Sequence, residues 1–157
     1  MFLFKFDLKA GYYHINVCPQ QQTYLGFSWG NTFYCFSVLV FGLASSPYLF
    51  TKCLRSMVKF WRKHSINIVL YLDDGYGMTN TFEDCKKYSD FVKQSLLYAG
   101  FLINEDKSSF NPVRILEWLG ITWDSSSFAL SIPDRRINDI LSSLEHILSV
   151  FPFFTAR

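Results

Sequence analysis

Apolar runs along the chain alternate with polar turns in a pattern that predicts several β-strands. Two of these runs, Phe2–Phe6 and Ile66–Tyr71, are followed closely by acid, the first at Asp7 and the second at Asp73 and Asp74. Burying an ionised carboxylate costs free energy unless a cation lies nearby. The ends of these two strands are therefore the first places to look for chemistry.

Helical periodicity appears first after residue 45. Ser46 is predicted to cap this helix and Pro47 to open it. The predicted apolar side consists of Phe50, Leu54, Met57 and Trp61. The opposite side carries a basic stripe, which we interpret as a solvated face in preference to a phosphate-binding track. The stripe consists of Lys52, Arg55, Lys59 and Arg62.

Two more helices and two hairpins complete the predicted α+β fold, a sheet with helices packed on one face. The second helix begins at Asn80 or Thr81, where Glu83 or Asp84 completes a capping box, and it ends at Gly100. Its predicted buried side is Cys85, Tyr88, Phe91, Val92, Leu96 and Ala99. The third helix opens at Pro133 and uses Ile137, Ile140, Leu141, Leu144 and Leu148. The hairpins pair residues 24–29 with 32–38 and Ile115–Trp123 with Phe128–Ile132.

Composition narrows the functional classes. The 157 residues suit one domain, and the half that is apolar, with 19% aromatic residues, excludes a disordered chain. The net charge is only +2, and residues 10–51 contain no Asp, Glu, Lys or Arg, so nucleic-acid binding has to rest on local patches or on missing segments. No run is typical of a membrane span or a signal peptide. The four cysteines lack metal-site spacing and indicate reduced thiols in an intracellular protein.

The carboxylates that follow the two strands indicate a metal site. At a hairpin tip, Asp73 and Asp74 can diverge and still line one edge, with Gly75 allowing the chain to turn. If Asp7 lies on a neighbouring strand, three acidic groups converge where a hard cation such as Mg²⁺ binds. Such a site is typical of two-metal phosphoryl transfer, with ions about 3.5 to 4 Å apart. The alternative is a solvated turn, the usual setting of Asp-Asp-Gly.

Five sequence blocks follow one another along the chain: FDLKAGY at residues 6–12, VLVFGLASSP at 38–47, YLDD at 71–74, AGFLINEDK at 99–107 and LEWLG at 116–120. In this order and at these spacings, the blocks resemble the palm of a reverse transcriptase. Around residues 41–52 the sequence is similar to DIRS-type retrotransposon enzymes, with Gypsy-type elements as the alternative. The resemblance implies a polymerase palm at residues 1–124 and a palm-to-thumb connection at 125–157, with the fingers region missing.

The resemblance also implies roles for residues near the acids. The implied metal-binding positions are Asp7, Leu8, Asp73 and Asp74. The three acids are implied to be catalytic together with Lys107, which corresponds to the lysine that protonates the leaving pyrophosphate. The plainer interpretation of Lys107 is a solvated lysine.

Nucleotide-binding and primer-binding positions follow in the same way. Tyr12 corresponds to the aromatic residue that blocks a 2′-hydroxyl, with Tyr13 as the alternative and a core tyrosine as the plainer interpretation. Phe41 and Gly42 correspond to contacts with the nucleotide and the templating base, and Val40 stands where the family usually has proline. The primer grip corresponds to Trp118, Leu119 and Gly120, which are otherwise hairpin core.

The function that the resemblance implies is RNA-directed DNA polymerisation. The implied partners are an RNA or DNA template with its primer and deoxynucleoside triphosphates, the implied cofactor is Mg²⁺ or alternatively Mn²⁺, and no membrane is involved. The chain is expected to be a retroelement polyprotein fragment in the cytoplasm or nucleus, whose parent carries fingers, thumb and RNase H segments. Alone, it is expected to fold without polymerising.

Two other interpretations remain open at this stage. One is an inactive remnant that keeps the palm fold as a non-enzymatic domain. The other is a small metal-binding module unrelated to polymerases, which requires the five block matches to be accidental. His14, His64 and His146 show no ligand spacing and are interpreted as structural or surface residues.

Overall fold

The computed structural model describes residues 1–150, which divide into a first unit ending at Val113 and a second unit beginning at Arg114. Residues 151–157, the last part of the predicted palm-to-thumb connection, lie outside the described residues. The α+β fold with antiparallel sheets is confirmed. None of the described helices has the length and apolar character needed to cross a membrane.

The first unit contains nine regular elements and two short 3₁₀ helices at Gly11–His14 and Thr23–Leu25. The elements are β1 (Phe2–Asp7), α1 (Pro19–Gln22), β2 (Gly26–Trp29), β3 (Thr32–Cys35), α2 (Ser46–Lys63), β4 (Asn67–Tyr71), β5 (Asp74–Thr79), α3 (Phe82–Tyr98) and β6 (Ser109–Val113). The strands β2 and β3 form the predicted hairpin. The second unit contains β7 (Ile115–Trp118), β8 (Ile121–Asp124), β9 (Ala129–Ser131) and α4 (Asp134–Val150).

The central sheet of the first unit has the strand order β4-β5-β1-β6. The pairing of β1 with β5 is antiparallel and places Asp7 opposite Asp74, while β4 pairs with β5 on its other side. Both outer strands are obstructed at their free edge. The Arg62 guanidinium donates to the Ile68 carbonyl of β4 at 3.0 and 3.2 Å, and β6 contains Pro112, which has no N–H to offer.

Aromatic side chains of β1 lie across glycines of β5. Phe4 faces Gly77 and Phe6 faces Gly75, and a Cβ at either glycine would overlap the ring opposite. Both rings are buried. The prediction that Gly75 forms the turn before β5 is wrong, because Gly75 lies inside the strand and the positive φ of 54° belongs to Leu72.

Helix α2 packs on the sheet through Phe50, Leu54 and Trp61, as predicted, with Met57 partly buried. Pro47 lies in the first turn, but the predicted cap is wrong. Ser46 is inside the helix and buried, and its hydroxyl donates to the Val40 carbonyl at 2.7 Å, because a buried hydroxyl needs a partner.

Helix α3 begins as predicted, with the Thr81 hydroxyl accepting from the Asp84 N–H at 3.1 Å, and the chain turns at Gly100 with φ of 84°. Its buried side differs from the prediction, since Phe91 and Ala99 are exposed. Ser89 is buried instead, because its hydroxyl donates to the Phe110 carbonyl at 2.7 Å.

The second unit is a three-stranded antiparallel sheet followed by α4. The predicted single strand Ile115–Trp123 is wrong. The chain turns at Leu119 and Gly120, with φ of 51° and 71°, so that β7 pairs with β8 and β8 pairs with β9. The predicted helix is present in α4, but its apolar side is exposed within residues 134–150.

We expect Gly77→Ala to lower the free energy of unfolding by about 1 to 3 kcal/mol, because the added methyl overlaps the buried Phe4 ring. Urea unfolding followed by tryptophan fluorescence measures this. The matched control is Gly26→Ala, another strand glycine, whose added Cβ meets only ordinary contacts at 3.4 and 3.6 Å. Equal stability of the two variants would contradict the packing interpretation.

Candidate active site

The register of the central sheet brings the predicted acids together. Asp7 ends β1 directly opposite Asp74 at the start of β5, and Asp73 lies in the turn between β4 and β5. The Leu8 N–H donates to the Asp73 carbonyl at 3.0 Å, which ties the end of β1 to that turn. The four predicted metal-binding positions therefore lie at one end of the sheet.

Burial and neighbouring carboxyl groups raise the pKa of Asp73 and of Asp74. Burial, a hydrogen bond to the Asp7 side chain and the charges of Asp7 and Asp73 together raise the pKa of Asp74 to about 6, with burial as the largest cause. Burial also raises the pKa of Asp73, and the Asp7 charge adds to the increase. A cation at this end of the sheet would relieve the repulsion.

Residues 102–108 hold the end of β1 from the other side. The Asp7 N–H donates to the Ser108 hydroxyl oxygen at 3.0 Å, and the Asn104 N–H donates to the Asp7 carbonyl at 2.9 Å. The Ser108 hydroxyl in turn donates to the Asn104 carbonyl at 2.7 Å. Sequence reasoning missed Ser108, and the only signal for it was its position directly after the block that ends at Lys107.

Lys107 is exposed, and its positive charge counters the rise in the pKa of Asp73. This electrostatic interaction places the ammonium within range of the carboxylates. The geometry is compatible with the role that the resemblance implies, and it is also compatible with a solvated lysine.

Tyr12 lies beside the acids in an aromatic group. Its ring centroid is 4.8 Å from that of Phe41 and 5.1 Å from that of Phe50. Burial raises the pKa of Tyr12, and the Asp73 charge raises it further. Tyr13, the alternative, is about half exposed and meets the Phe41 ring edge-on at 5.8 Å.

Glycines shape the same region. Gly42 has φ of 85° and nothing within 4 Å of an added Cβ, so its backbone is open to close approach. Sequence reasoning did not single out Gly11, where an added Cβ would lie 2.7 Å from the Phe50 ring and 3.4 Å from the Asp73 Cβ. The signal available was its place in the first block, between Asp7 and Tyr12.

His14 is a structural residue, in agreement with its interpretation. Its Nδ1 donates to the Gly11 carbonyl at 3.2 Å, and its Nε2 accepts from the Leu102 N–H at 3.1 Å. His14 thereby links the turn after β1 to residues 102–108.

The predicted primer-binding residues belong to the second unit. Trp118 lies 6.0 Å from Trp123 between ring centroids, Leu119 is exposed at the turn, and Gly120 lies against the Arg136 guanidinium. Trp118 has the packing of hairpin core, and Leu119 does not.

The donor set at the acids suits Mg²⁺ or Mn²⁺, because all its ligands are oxygen atoms and two of the carboxyls are partly desolvated. Among residues 1–150, no three His, Cys, Asp or Glu side chains stand ready to hold a metal ion. Binding would therefore require the three carboxylates to reorient from their present positions.

Comparison with known proteins identifies one family. The family model described as reverse transcriptase (RNA-dependent DNA polymerase) matches residues 1–123. The chain is 28% identical over 137 residues to an enzymatic polyprotein of Cassava vein mosaic virus, covering 87% of the chain and 20% of the relative. It is 28% identical over 153 residues to the Pro-Pol polyprotein of Feline foamy virus, covering 94% and 13%. The chain thus spans a fifth or less of these relatives.

Solved structures share the fold. The foamy viral protease-reverse transcriptase in complex with dsDNA aligns with a TM-score of 0.78 at 24% identity, over 97% of this chain and 32% of that one. The same kind of enzyme in complex with an RNA/DNA hybrid aligns with a TM-score of 0.77 at 24% identity, over 97% and 21%.

We expect Asp74→Asn to raise the free energy of unfolding at neutral pH, without divalent cations, by on the order of 1 to 2 kcal/mol. The folded pKa near 6 exceeds the ordinary value of 3.8, so the folded state binds the proton more tightly. Stability conferred by the protonated carboxyl is therefore lost as pH rises from about 4 to about 6.

Urea unfolding in EDTA across this pH range measures the effect. The matched control is Asp106→Asn, an exposed acid of the same unit, which should leave the pH dependence as it is. A pH dependence that is identical in Asp74→Asn and the wild type would contradict the electrostatic account.

Proposed function

The chain belongs to the reverse transcriptase family, the RNA-dependent DNA polymerases, and we propose that residues 1–124 form the palm of such an enzyme. In this proposal, residues 125–157 lead from the palm toward a thumb. The reaction is attack of a primer 3′-hydroxyl on the α-phosphate of a deoxynucleoside triphosphate, with pyrophosphate as the leaving group. The observation that carries the proposal is the convergence of Asp7, Asp73 and Asp74 through the β1–β5 register.

The three acids, with Leu8 beside them, would hold Mg²⁺ or alternatively Mn²⁺. When bound, divalent cations favour the ionised primer hydroxyl and neutralise charge on the leaving group. The chain has to supply deprotonated carboxylates, and the raised pKa of Asp74 means that protons compete at this site below about pH 6. Lys107 would donate a proton to the departing pyrophosphate or stabilise its charge.

Nucleotide selection would rest on Tyr12, Phe41 and Gly42. The buried Tyr12 ring lies close enough to Asp73 for that charge to affect it, which supports a role in restricting the sugar of a nucleotide held at the acids. A steric wall rejects one added oxygen without needing a hydrogen bond. Gly42 leaves its backbone accessible beside Phe41.

The proposed partners are a primed RNA or DNA template and deoxynucleoside triphosphates. Support comes from the foamy viral enzymes of the same fold, which were solved with dsDNA and with an RNA/DNA hybrid. Trp118, Leu119 and Gly120 would contact the primer end. The polyprotein relatives are five or more times longer than the matched segment, in keeping with a parent that also carries fingers, thumb and RNase H segments.

A retroelement source accompanies this proposal, either DIRS-type or Gypsy-type, with the parent enzyme acting in the cytoplasm or the nucleus. The amino-acid sequence of the motif at residues 41–52 favours the DIRS type. Membranes have no part in the proposed reaction.

The direct test is primer extension on an RNA template with Mg²⁺, using the chain joined to fingers and thumb segments of a foamy viral relative. We expect extension by the wild-type palm and a loss of at least about a thousandfold in Asp73→Asn, because a charged group at the reacting centre is removed. Asp106→Asn serves as the matched control and should retain activity. A folded wild-type palm that gives no extension would favour the inactive remnant.

Sugar selection gives a second test in the same assay. We expect Tyr12→Val to reduce discrimination against ribonucleotides on the order of 10- to 100-fold, because it removes the ring proposed to block the 2′-oxygen. Tyr12→Phe keeps the ring and should keep the discrimination. If Tyr13→Val changes the ratio of ribonucleotide to deoxynucleotide incorporation and Tyr12→Val does not, the role belongs to Tyr13.

A further inference from the structure

Helix α2 presents a line of four cations and one aromatic ring on its outer face. This outer stripe consists of Tyr48, Lys52, Arg55, Lys59 and Lys63, all exposed. The residues recur at intervals of three and four, so they share one face at 3.6 residues per turn. That face is opposite Phe50, Leu54 and Trp61, which pack in the core. Arg62, predicted as part of a basic stripe, is instead engaged with the Ile68 carbonyl.

The cations of the outer stripe have no acidic partners within the described part of the chain. Helix α2 contains five basic residues and no acidic one, a formal charge of +5, which leaves −3 for the rest of a chain whose net charge is +2. The ion pairs between described residues lie elsewhere, at Lys86–Asp90, Lys93–Glu105 and Arg135–Glu117. The chain therefore has a small net charge but one strongly positive surface, on α2.

An exposed aromatic ring lies at the N-terminal end of the outer stripe. Tyr48 is 63% exposed, with the Lys52 ammonium 5.8 Å from its ring centroid. Phe60, on a different side of α2, is 45% exposed but already packs against Phe91 at 5.7 Å and His64 at 4.6 Å, so it is not counted in the stripe. Exposed rings beside cations are the combination on which unpaired bases stack while their phosphates are neutralised.

The exposed ring favours an unpaired strand over a duplex, because the bases of a duplex are already paired and stacked on one another. At about 1.5 Å of rise per residue, successive cations are separated by roughly 4.5 to 6 Å, and the four span about 16 Å. We propose, in place of the solvated face expected from the sequence, that the outer stripe binds single-stranded nucleic acid, with phosphates on its Lys and Arg side chains and a base on Tyr48.

This surface is distinct from the proposed polymerase site. The core-facing side of α2 lies between the outer stripe and the sheet that carries the acids. Binding there requires no metal ion and no catalytic residue. It is therefore measured in EDTA, and Asp73→Asn should bind as the wild type does.

The experiment is fluorescence anisotropy with a dye-labelled oligothymidylate of about 12 nucleotides over a range of salt concentrations. Four neutralised phosphates at about −0.7 each predict a slope of log K against log[salt] near −2.8. The stripe variant combines Lys52→Gln, Arg55→Gln, Lys59→Gln and Lys63→Gln, and it should lose at least about tenfold in affinity and most of the slope. Tyr48→Ala should weaken binding about tenfold with the slope unchanged.

The matched control variant combines Lys86→Gln, Lys87→Gln, Lys93→Gln and Arg114→Gln, which changes the net charge by the same amount and should retain the affinity. Circular dichroism checks that each variant is folded. Equal losses in the stripe and control variants would overturn the proposal, and so would duplex DNA binding as tightly as the single strand. Stripe-dependent binding to anionic lipid vesicles without binding to the oligonucleotide would assign the surface to a membrane and would also overturn it.

Discussion

The antiparallel register of β1 and β5 is the constraint on which the rest of the first unit depends. In two cross-strand pairs, a ring of β1 lies directly over a glycine of β5, which has no side chain to block it. The pairs are Phe4 with Gly77 and Phe6 with Gly75. Because side chains alternate across a strand, a slip of one residue would drive a ring into a different neighbour and turn Asp7 away from Asp74. Apolar packing thus decides where the charges of the candidate site lie.

Local signals in the sequence were sufficient for much of this architecture. The acids at the ends of apolar runs, Pro47 in α2 and Thr81 at the start of α3 could be predicted because their partners are near in sequence. Ser89 and Ser108 could not be placed, because the hydroxyl of each is determined by a carbonyl or an N–H that only the tertiary fold brings close. Ser46 was misassigned because its hydroxyl bonds the Val40 carbonyl, six residues upstream in an irregular loop, and does not cap the helix. The turn at Leu119 and Gly120 was missed because apolar residues continue through it.

Hydrogen bonds hold the main chain of the candidate site in place, whereas burial and neighbouring charges disfavour its ionised carboxyl groups. The main chain of Asp7 is held by hydrogen bonds to Ser108 and Asn104, far away in sequence, so its position does not rely on its own carboxylate finding a partner. Burial, together with the neighbouring carboxyl groups gathered by that support, raises the pKa of Asp74 and so disfavours its ionised form. The ionised carboxyl groups lower the stability of the fold, and a bound cation would restore it. This is a common feature of functional sites.

The obstructed outer strands have a consequence for how such a chain behaves during synthesis. An open strand edge recruits whatever extended segment is nearby, including the same strand of another copy emerging from a neighbouring ribosome. The Arg62 guanidinium on the Ile68 carbonyl and the missing N–H of Pro112 make both edges poor templates. Neither edge of the four-stranded sheet therefore offers a full row of free hydrogen-bonding groups to the strand of another copy, which limits misassembly between chains.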